Sequence, residues 1–399
     1  MAIIRLYTMT QRTSLRLAVG AFLALTAFFS SCKKDDPKTS VVRQLRATRL
    51  YADSVGIDTT QFVVASAQAT PAELSTTLEK LITEVRYGHK PADQTFAKLT
   101  EKVDTAVIGK LVRASDVVSS LKTDGATFGP YRSLLAKYNE VRKTATPAQL
   151  QQIKQTLNFY RYLNRFETDK FIVVNIPAAR LAVFDKTGKR ELPMDVIVGK
   201  AAKATPRFNC YITEIVAYPY WNVPEGIAVK EILPKVKANP SFLDSQNMEV
   251  LNTRDKPVDP ESIDWGNVSA SNFPYRFRQL SGCNNSLGLI KFVLNGPPAI
   301  YLHDTNAREL FDQTTDRWRS HGCVRVEKPV ELANFVLGSA KFDQGFYNRC
   351  LADQKPSSFK LPRPYPVFVT YNLADVDERG QLVYYKDVYG KESGKVASL

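Results

Sequence analysis

The residues best equipped for chemistry lie together in Arg319-Ser320-His321-Gly322-Cys323-Val324-Arg325, the stretch RSHGCVR. The whole chain holds three histidines and five cysteines, and one of each falls in this segment. A thiolate is a strong nucleophile, but a free thiol near pKa 8.5 needs a neighbouring base or positive charge to reach that form. Histidine, with an ordinary pKa of about 6.5, is the usual base. Two imidazoles qualify. His321 is two residues from Cys323; in extended backbone that spacing puts both side chains on one face, about 7 Å apart, which suits joint lining of a pocket. His303 ends the apolar run AIYLHD and reaches Cys323 if the two segments pair as strands, with TNARELFDQTTDRWR as the excursion between them. His89 lies in a helical region and reads as a surface residue. Gly322 lets the backbone approach a ligand closely, so its amide and that of Cys323 can face an oxyanion. Arg325 carries a planar fork that matches a carboxylate; it reads equally well as a surface ion pair.

The elements that must position these residues are strands. At Lys170 the apolar period changes from helical to alternating: FIVVNI, ARLAVFD and ELPMDVIVG are β-rich runs separated by Pro177 and the turn DKTGK. YITEIVAY, NMEVLN, LIKFVL and AIYLHD continue the pattern, and YPVFVTYNLADV is the final strand. GIAVKEILPKV reads as a short helix stopped near Asn239-Pro240, and KPVELANFVLG as a helix with Gly338 past its end. Before Lys170 the pattern is helical. In TPAELSTTLEKLITEVRYG, Thr70, Pro71 and Glu73 form cap, first turn and capping box, and Leu74, Leu78, Leu81, Ile82 and Val85 share one face. TPAQLQQIKQTLNFYRYL repeats the design with Thr146, Pro147 and Gln149. These stripes are packing surfaces. The fold class is α+β: an all-α module at 41–167, then a mostly β module at 168–399 built on a sandwich-like mixed sheet.

The first 32 residues are not part of the fold. Arg5, Arg12 and Arg16 precede the apolar run LAVGAFLALTAFF, which is shorter than the roughly 20 residues of a membrane span and has the length of a signal-peptide core. Ser30-Ser31-Cys32 then resembles a bacterial lipoprotein signal, with Cys32 as the lipidated first residue of the mature chain, and 33–40 reads as a flexible tether. The folded part is therefore expected in the cell envelope, facing the periplasm and anchored to the membrane by lipid. The formal net charge is +14; losing the three arginines with the leader leaves about +11. A basic surface favours anionic partners. With no zinc-ligand spacing, no RNA-binding aromatic signature and no basic helix with heptads, nucleic acid is not the expected partner.

His303, sixteen residues, then SHGCVR resembles the signature of the L,D-transpeptidases of bacterial cell walls, the YkuD-type catalytic domain. The likeness extends to the large periplasmic subgroup with a lid over the site, through VGKAAKATPRF, PYWNVPEGIAVKEILPKVKANPSFL, NMEV, IDW, FPYRFRQ, NSLGLIKF and IYLHDT; it covers about 168–372 and puts the lid at about 220–285. It implies that Cys323 attacks the third residue of a peptidoglycan stem tetrapeptide and expels D-alanine, leaving an acyl-enzyme that an amine resolves into a 3→3 cross-link. His303 is then the base, oriented by the backbone carbonyl of Asp304, and His321, Gly322 and Cys323 line the oxyanion site. Tyr301, Ser320 and Arg325 are the expected substrate contacts, with Trp221, Tyr275 and Arg278 as further candidates in the lid. No metal or organic cofactor is implied, and no protein partner is specified. The same site also serves an L,D-carboxypeptidase or the attachment and release of wall proteins; a different class of reading is a non-catalytic wall-binding lipoprotein. A papain-like protease is disfavoured, because His303 precedes Cys323. Two departures stand out. The small peptidoglycan-binding domain usual between scaffold and catalytic segments is missing, and Ser281-Gly282-Cys283 replaces the usual Pro-Gly. Of Cys210, Cys283 and Cys350, a Cys210–Cys283 bridge is one possibility.

Overall fold

The computed structural model describes residues 36–64, 68–123, 128–312, 316–347, 349 and 354–391. Cys32 and the proposed leader lie outside them. Residues 37–40 of the tether expected at 33–40 are helical. Helix α1 (Pro37–Ser54) already begins at Pro37, because Asp36 caps it by accepting from the Thr39 amide and Pro37 suits its first turn. Helices α2 (Pro71–Tyr87), α3 (Thr105–Val112), α4 (Val117–Thr123), α5 (Gly129–Val141) and α6 (Pro147–Tyr162) follow. Both expected capping boxes, at Thr70/Glu73 and Thr146/Gln149, are formed. The helical region is not purely α, however. Strand β1 (Gln94–Ala97) lies within it and pairs in parallel with β5 (Arg207–Ala217) of the sheet. The side chain of Asn209 reinforces the junction by accepting from the Lys98 and Leu99 amides at 3.0 and 3.1 Å.

The sheet also contains β2 (Lys170–Asn175), β3 (Arg180–Asp185), β4 (Arg190–Gly199), β10 (Ile290–Leu294), β11 (Leu302–His303), β13 (Val324–Val326) and β14 (Ser357–Thr370), with β12 (Trp318–Ser320) beside β4. It is mixed, as expected, but it closes on itself: β14 pairs in parallel with β2 and antiparallel with β5. A short hairpin, β15 (Ala374–Val376) with β16 (Leu382–Tyr384), follows β14, so YPVFVTYNLADV is not the last strand. Alternation explains the continuous apolar runs. Ile172, Val174, Leu181 and Val183 point into the closed sheet's core, while Phe171, Val173, Ala182 and Phe184 point out against Leu134, Ile153, Leu157 and Tyr160 of the helices. Strands buried on both faces carry no polar alternate. Helix α10 (Pro329–Leu337) ends at left-handed Gly338.

Residues 221–279 form a separate layer over one end of the sheet. Strands β6 (Trp221–Asn222), β7 (Met248–Leu251), β8 (Pro257–Val258) and β9 (Arg276–Gln279) pair in the order β6-β9-β7-β8. Around Val236, Leu243, Val250, Trp265 and Phe277 they have their own core. Within this layer α7 (Glu225–Ile227) runs through a π-helical turn (Ala228–Ile232) into α8 (Leu233–Ala238), followed by α9 (Phe242–Ser245). Pro234, which has no amide to donate, sits where the helix resumes its ordinary pitch. Asn285 ties the two ends of the layer together, donating to Pro219 O and Leu280 O at 3.1 and 2.9 Å.

Candidate active site

The sequence places His303 and Cys323 twenty residues apart, and strand pairing brings their segments together. Strand β11 runs parallel to β13, with Leu302 opposite Val324 and His303 opposite Arg325. The Val324 amide donates to Tyr301 O at 3.1 Å, which continues the register back to Tyr301 and Cys323. Side chains alternate across a sheet. Leu302 and Val324 are fully buried in the core; Tyr301, His303, Cys323 and Arg325 therefore share the opposite face. All four line a cavity of about 410 Å³, closed on its other side by Trp221, Glu231, Lys235, Phe242 and Met248 of the overlying layer.

The loop before Cys323 is built from internal hydrogen bonds. Ser320 is buried; its hydroxyl donates to Cys323 O at 2.6 Å and accepts from the Gly322 amide at 3.1 Å. Ser320 thus shapes the turn while also lining the cavity. For the same reason the Gly322 amide is not free for an oxyanion, while the Cys323 amide has no acceptor among the described residues. Gly322 has φ +117°, a conformation that favours glycine, and a Cβ there would meet the end of the Ile300 side chain at 3.3 Å. Its carbonyl accepts from Thr205 Oγ1 at 2.9 Å, and Thr205 in turn accepts from the Gly199 amide at 2.9 Å. Thr205 is a buried support that sequence reasoning passed over; its place in VGKAAKATPRF was the available signal.

Cys323 is half-buried and its thiol donates to Ala299 O at 3.3 Å. Burial pushes the thiol above its ordinary pKa; against this act the Tyr301 amide, the positive charges of Lys291 and Arg325, and the Tyr301 hydroxyl. His303 is buried, and desolvation together with the Arg325 charge pushes its imidazole down to about 3. Both shifts favour neutral thiol and neutral imidazole near pH 7. No hydrogen bond joins the two. Nδ1 of His303 has no partner in good geometry, although the Asp304 and Leu287 backbones lie close enough to favour a protonated ring. The His303 ring packs edge-on against Tyr301, with centroids 5.8 Å apart. The Trp221 side chain lies within hydrogen-bonding reach of the Tyr301 hydroxyl.

The remaining candidates separate clearly. Arg325 is largely buried, with Nη1 3.5 Å from Thr305 Oγ1 and Nε unpartnered, so it is not a surface ion pair. The Asp304 carboxylate faces away from the cavity, where it accepts from the Leu289 amide and from Arg308, each at 2.8 Å. His321 lines the cavity beside Cys323, its Nε2 2.8 Å from Glu231 in the π-helical turn. It links the loop before Cys323 to the covering layer. Of the three candidates in that layer only Trp221 reaches the cavity. Tyr275 packs with Trp265 and Phe273, and Arg278 pairs with Glu249 and lies over the Tyr220 ring. Cys283 is disulfide-bonded whereas Cys210 is a buried free thiol, so these two are not bridged to each other. Among the described residues no cluster of His, Cys, Asp or Glu is able to hold a metal.

Residues 169–358 match the family model of the YkuD L,D-transpeptidase catalytic domain. A Haemophilus influenzae protein named "Putative L,D-transpeptidase" is 38% identical over 219 residues, which are 55% of this chain and 44% of that protein. The chain thus spans less than half the length of that relative. Among solved structures, a mutant of the Enterococcus faecium L,D-transpeptidase is similar at 12% identity and a TM-score of 0.24, over 54% of this chain and 62% of that one. An L,D-transpeptidase from Mycobacterium smegmatis is similar at 13% identity and a TM-score of 0.22, over 51% and 58%.

Proposed function

We propose that this chain, whose residues 169–358 match the L,D-transpeptidase catalytic-domain model, forms 3→3 cross-links in peptidoglycan through a thioester on Cys323. The observation that carries this reading is the shared face of Tyr301, His303, Cys323 and Arg325 in one covered cavity. Resting thiol and imidazole are both neutral, so His303 takes the thiol proton as the sulfur attacks, acting as general base in its neutral form. The sulfur first leaves Ala299 O; catalytic hydrogen bonds often tighten only around bound substrate. The carbonyl of the third stem residue becomes an oxyanion facing the Cys323 amide. Collapse releases D-alanine, which takes the proton from His303. An amine of a second stem peptide then attacks the thioester and restores the thiol. Arg325, a buried cation without a carboxylate partner, receives a carboxylate of the donor, and the cationic rim of Lys203 and Lys235 suits such a substrate.

Lipidation of Cys32 and a membrane-anchored position in the envelope complete the proposal; metabolic labelling with a radioactive fatty acid, lost in Cys32→Ala, tests the anchor. The enzymatic test is the purified chain with a disaccharide-tetrapeptide, read by mass spectrometry. A covalent adduct lacking D-alanine followed by a cross-linked dimer is expected. Tripeptide alone establishes hydrolysis instead, and no adduct at all overturns the reading.

A further inference from the structure

One cation beside the nucleophile has no place in the scheme above. Lys291 lies at the centre of β10, between Ile290 and Phe292, which are fully buried in the core. Its own side chain therefore points to the opposite face, where it is registered with His303 on β11 and Val216 on β5. Nζ sits 4.2 Å from the centroid of the Tyr301 ring. Lys291 makes no ion pair within 4 Å of a carboxylate among the described residues. The charged and titratable groups around it are Glu214 from β5, Tyr301 and His303 from the β11 segment, and Cys323 and Arg325 from the β13 segment. Contact with an aromatic face offsets only part of what shielding a half-buried, unpaired ammonium from water costs. The counter-charge nearest at hand is the thiolate that Cys323 becomes when its proton leaves.

We propose that Lys291 is a positioning residue for Cys323: its ammonium clamps the Tyr301 ring so that the tyrosine amide and hydroxyl meet the sulfur, and it supplies the positive charge that a thiolate requires. Lys291 does not line the cavity and touches no substrate. It acts through Tyr301 and through the field at the sulfur. The proposal rests on Cys323 being the nucleophile, and its test needs no wall peptide.

The experiment is iodoacetamide alkylation of the folded protein from pH 6 to 10, with the adduct on Cys323 quantified by peptide mass spectrometry. In Lys291→Met the inflection is expected to rise by about one pH unit and the rate at pH 7 to fall about tenfold, the size of one opposite charge at close range. Lys291→Arg, which keeps the charge and stacks well on aromatic rings, is expected to recover most of that rate. Lys291→Gln is the second neutral variant, should methionine disturb folding, with circular dichroism as the check. An inflection unmoved in both neutral variants overturns the proposal, as does an arginine variant no better than glutamine. Wild-type Cys323 that never alkylates overturns the nucleophile reading and this proposal with it.

Discussion

Two free thiols belong to the same closed sheet and differ in everything around them. Cys210 lies in the middle of β5, opposite Val367, with no exposed surface, and burial alone pushes its thiol up to about 12. Cys323 is buried enough to be pushed the same way, but it has what Cys210 lacks: two donors from Tyr301 and two cations, Lys291 and Arg325. Depth in the fold therefore does not separate Cys210 from the proposed nucleophile. The separation comes from which atoms replace water. Apolar neighbours leave a thiolate unsolvated, whereas aimed N–H, O–H and positive charge solvate it in place.

The sharpest way to break this contrast is to remove the sulfur at the cavity. Cys323→Ala is expected to lower turnover by about 10⁴-fold or more with the melting temperature unchanged. Activity that survives in this variant would falsify the assignment outright. His303→Ala is expected to cost about 10²–10⁴-fold, and its pH profile says more than its size. A base works in its neutral form, and His303 is pushed down to about 3. Activity governed by this group therefore holds as pH falls from 7 to 5 and is lost only as pH drops through that low value. A profile falling with an inflection near 6.5 shows instead that the imidazole is not shielded by Arg325 and burial in the working enzyme.

A smaller effect is expected at the cover. The His321–Glu231 contact joins two partly exposed side chains, 32% and 43% accessible, and pairs of that kind contribute about 0.2–1 kcal/mol. Glu231→Gln should change KM for a stem-peptide donor by about two- to threefold and leave kcat alone, as steady-state kinetics would show. A collapse in kcat places His321 in the chemistry through this contact.

The candidate residues were more legible in the sequence than the contacts that support them. Cys323 and His303 stand out because few residue types act as nucleophile or base, and the switch from helical to alternating period at Lys170 announces the strands that carry them. Both capping boxes are local in sequence and form as read. What escaped is non-local. QTFA has no strand signal beyond its pairing with β5, a hundred residues later. Tyr275 and Arg278 look available until the core of their layer absorbs them. Lys291 in LIKFVL reads as an ordinary polar alternate; only the neighbouring strands place it beside Tyr301. Ser320 has the right chemistry for a substrate contact, but two hydrogen bonds to its own loop use its hydroxyl.

The least disruptive test concerns Cys210 itself. The sulfur fills core space in contact range of Gly296, where a Cβ would stand 3.2 Å from it. Cys210→Ala removes that atom and leaves a small void, at a cost of about 1 kcal/mol, which for a chain of this size lowers the melting temperature by a few degrees. Turnover should stay within about twofold, because the thiol has no donor, cation or route to the cavity, and a thiol so far above neutral pH contributes almost no thiolate. Calorimetry and the transpeptidation assay read the two halves of this expectation separately. If the folded variant loses turnover as Cys323→Ala does, burial has not silenced Cys210, and local donors and cations are not what distinguishes the two cysteines.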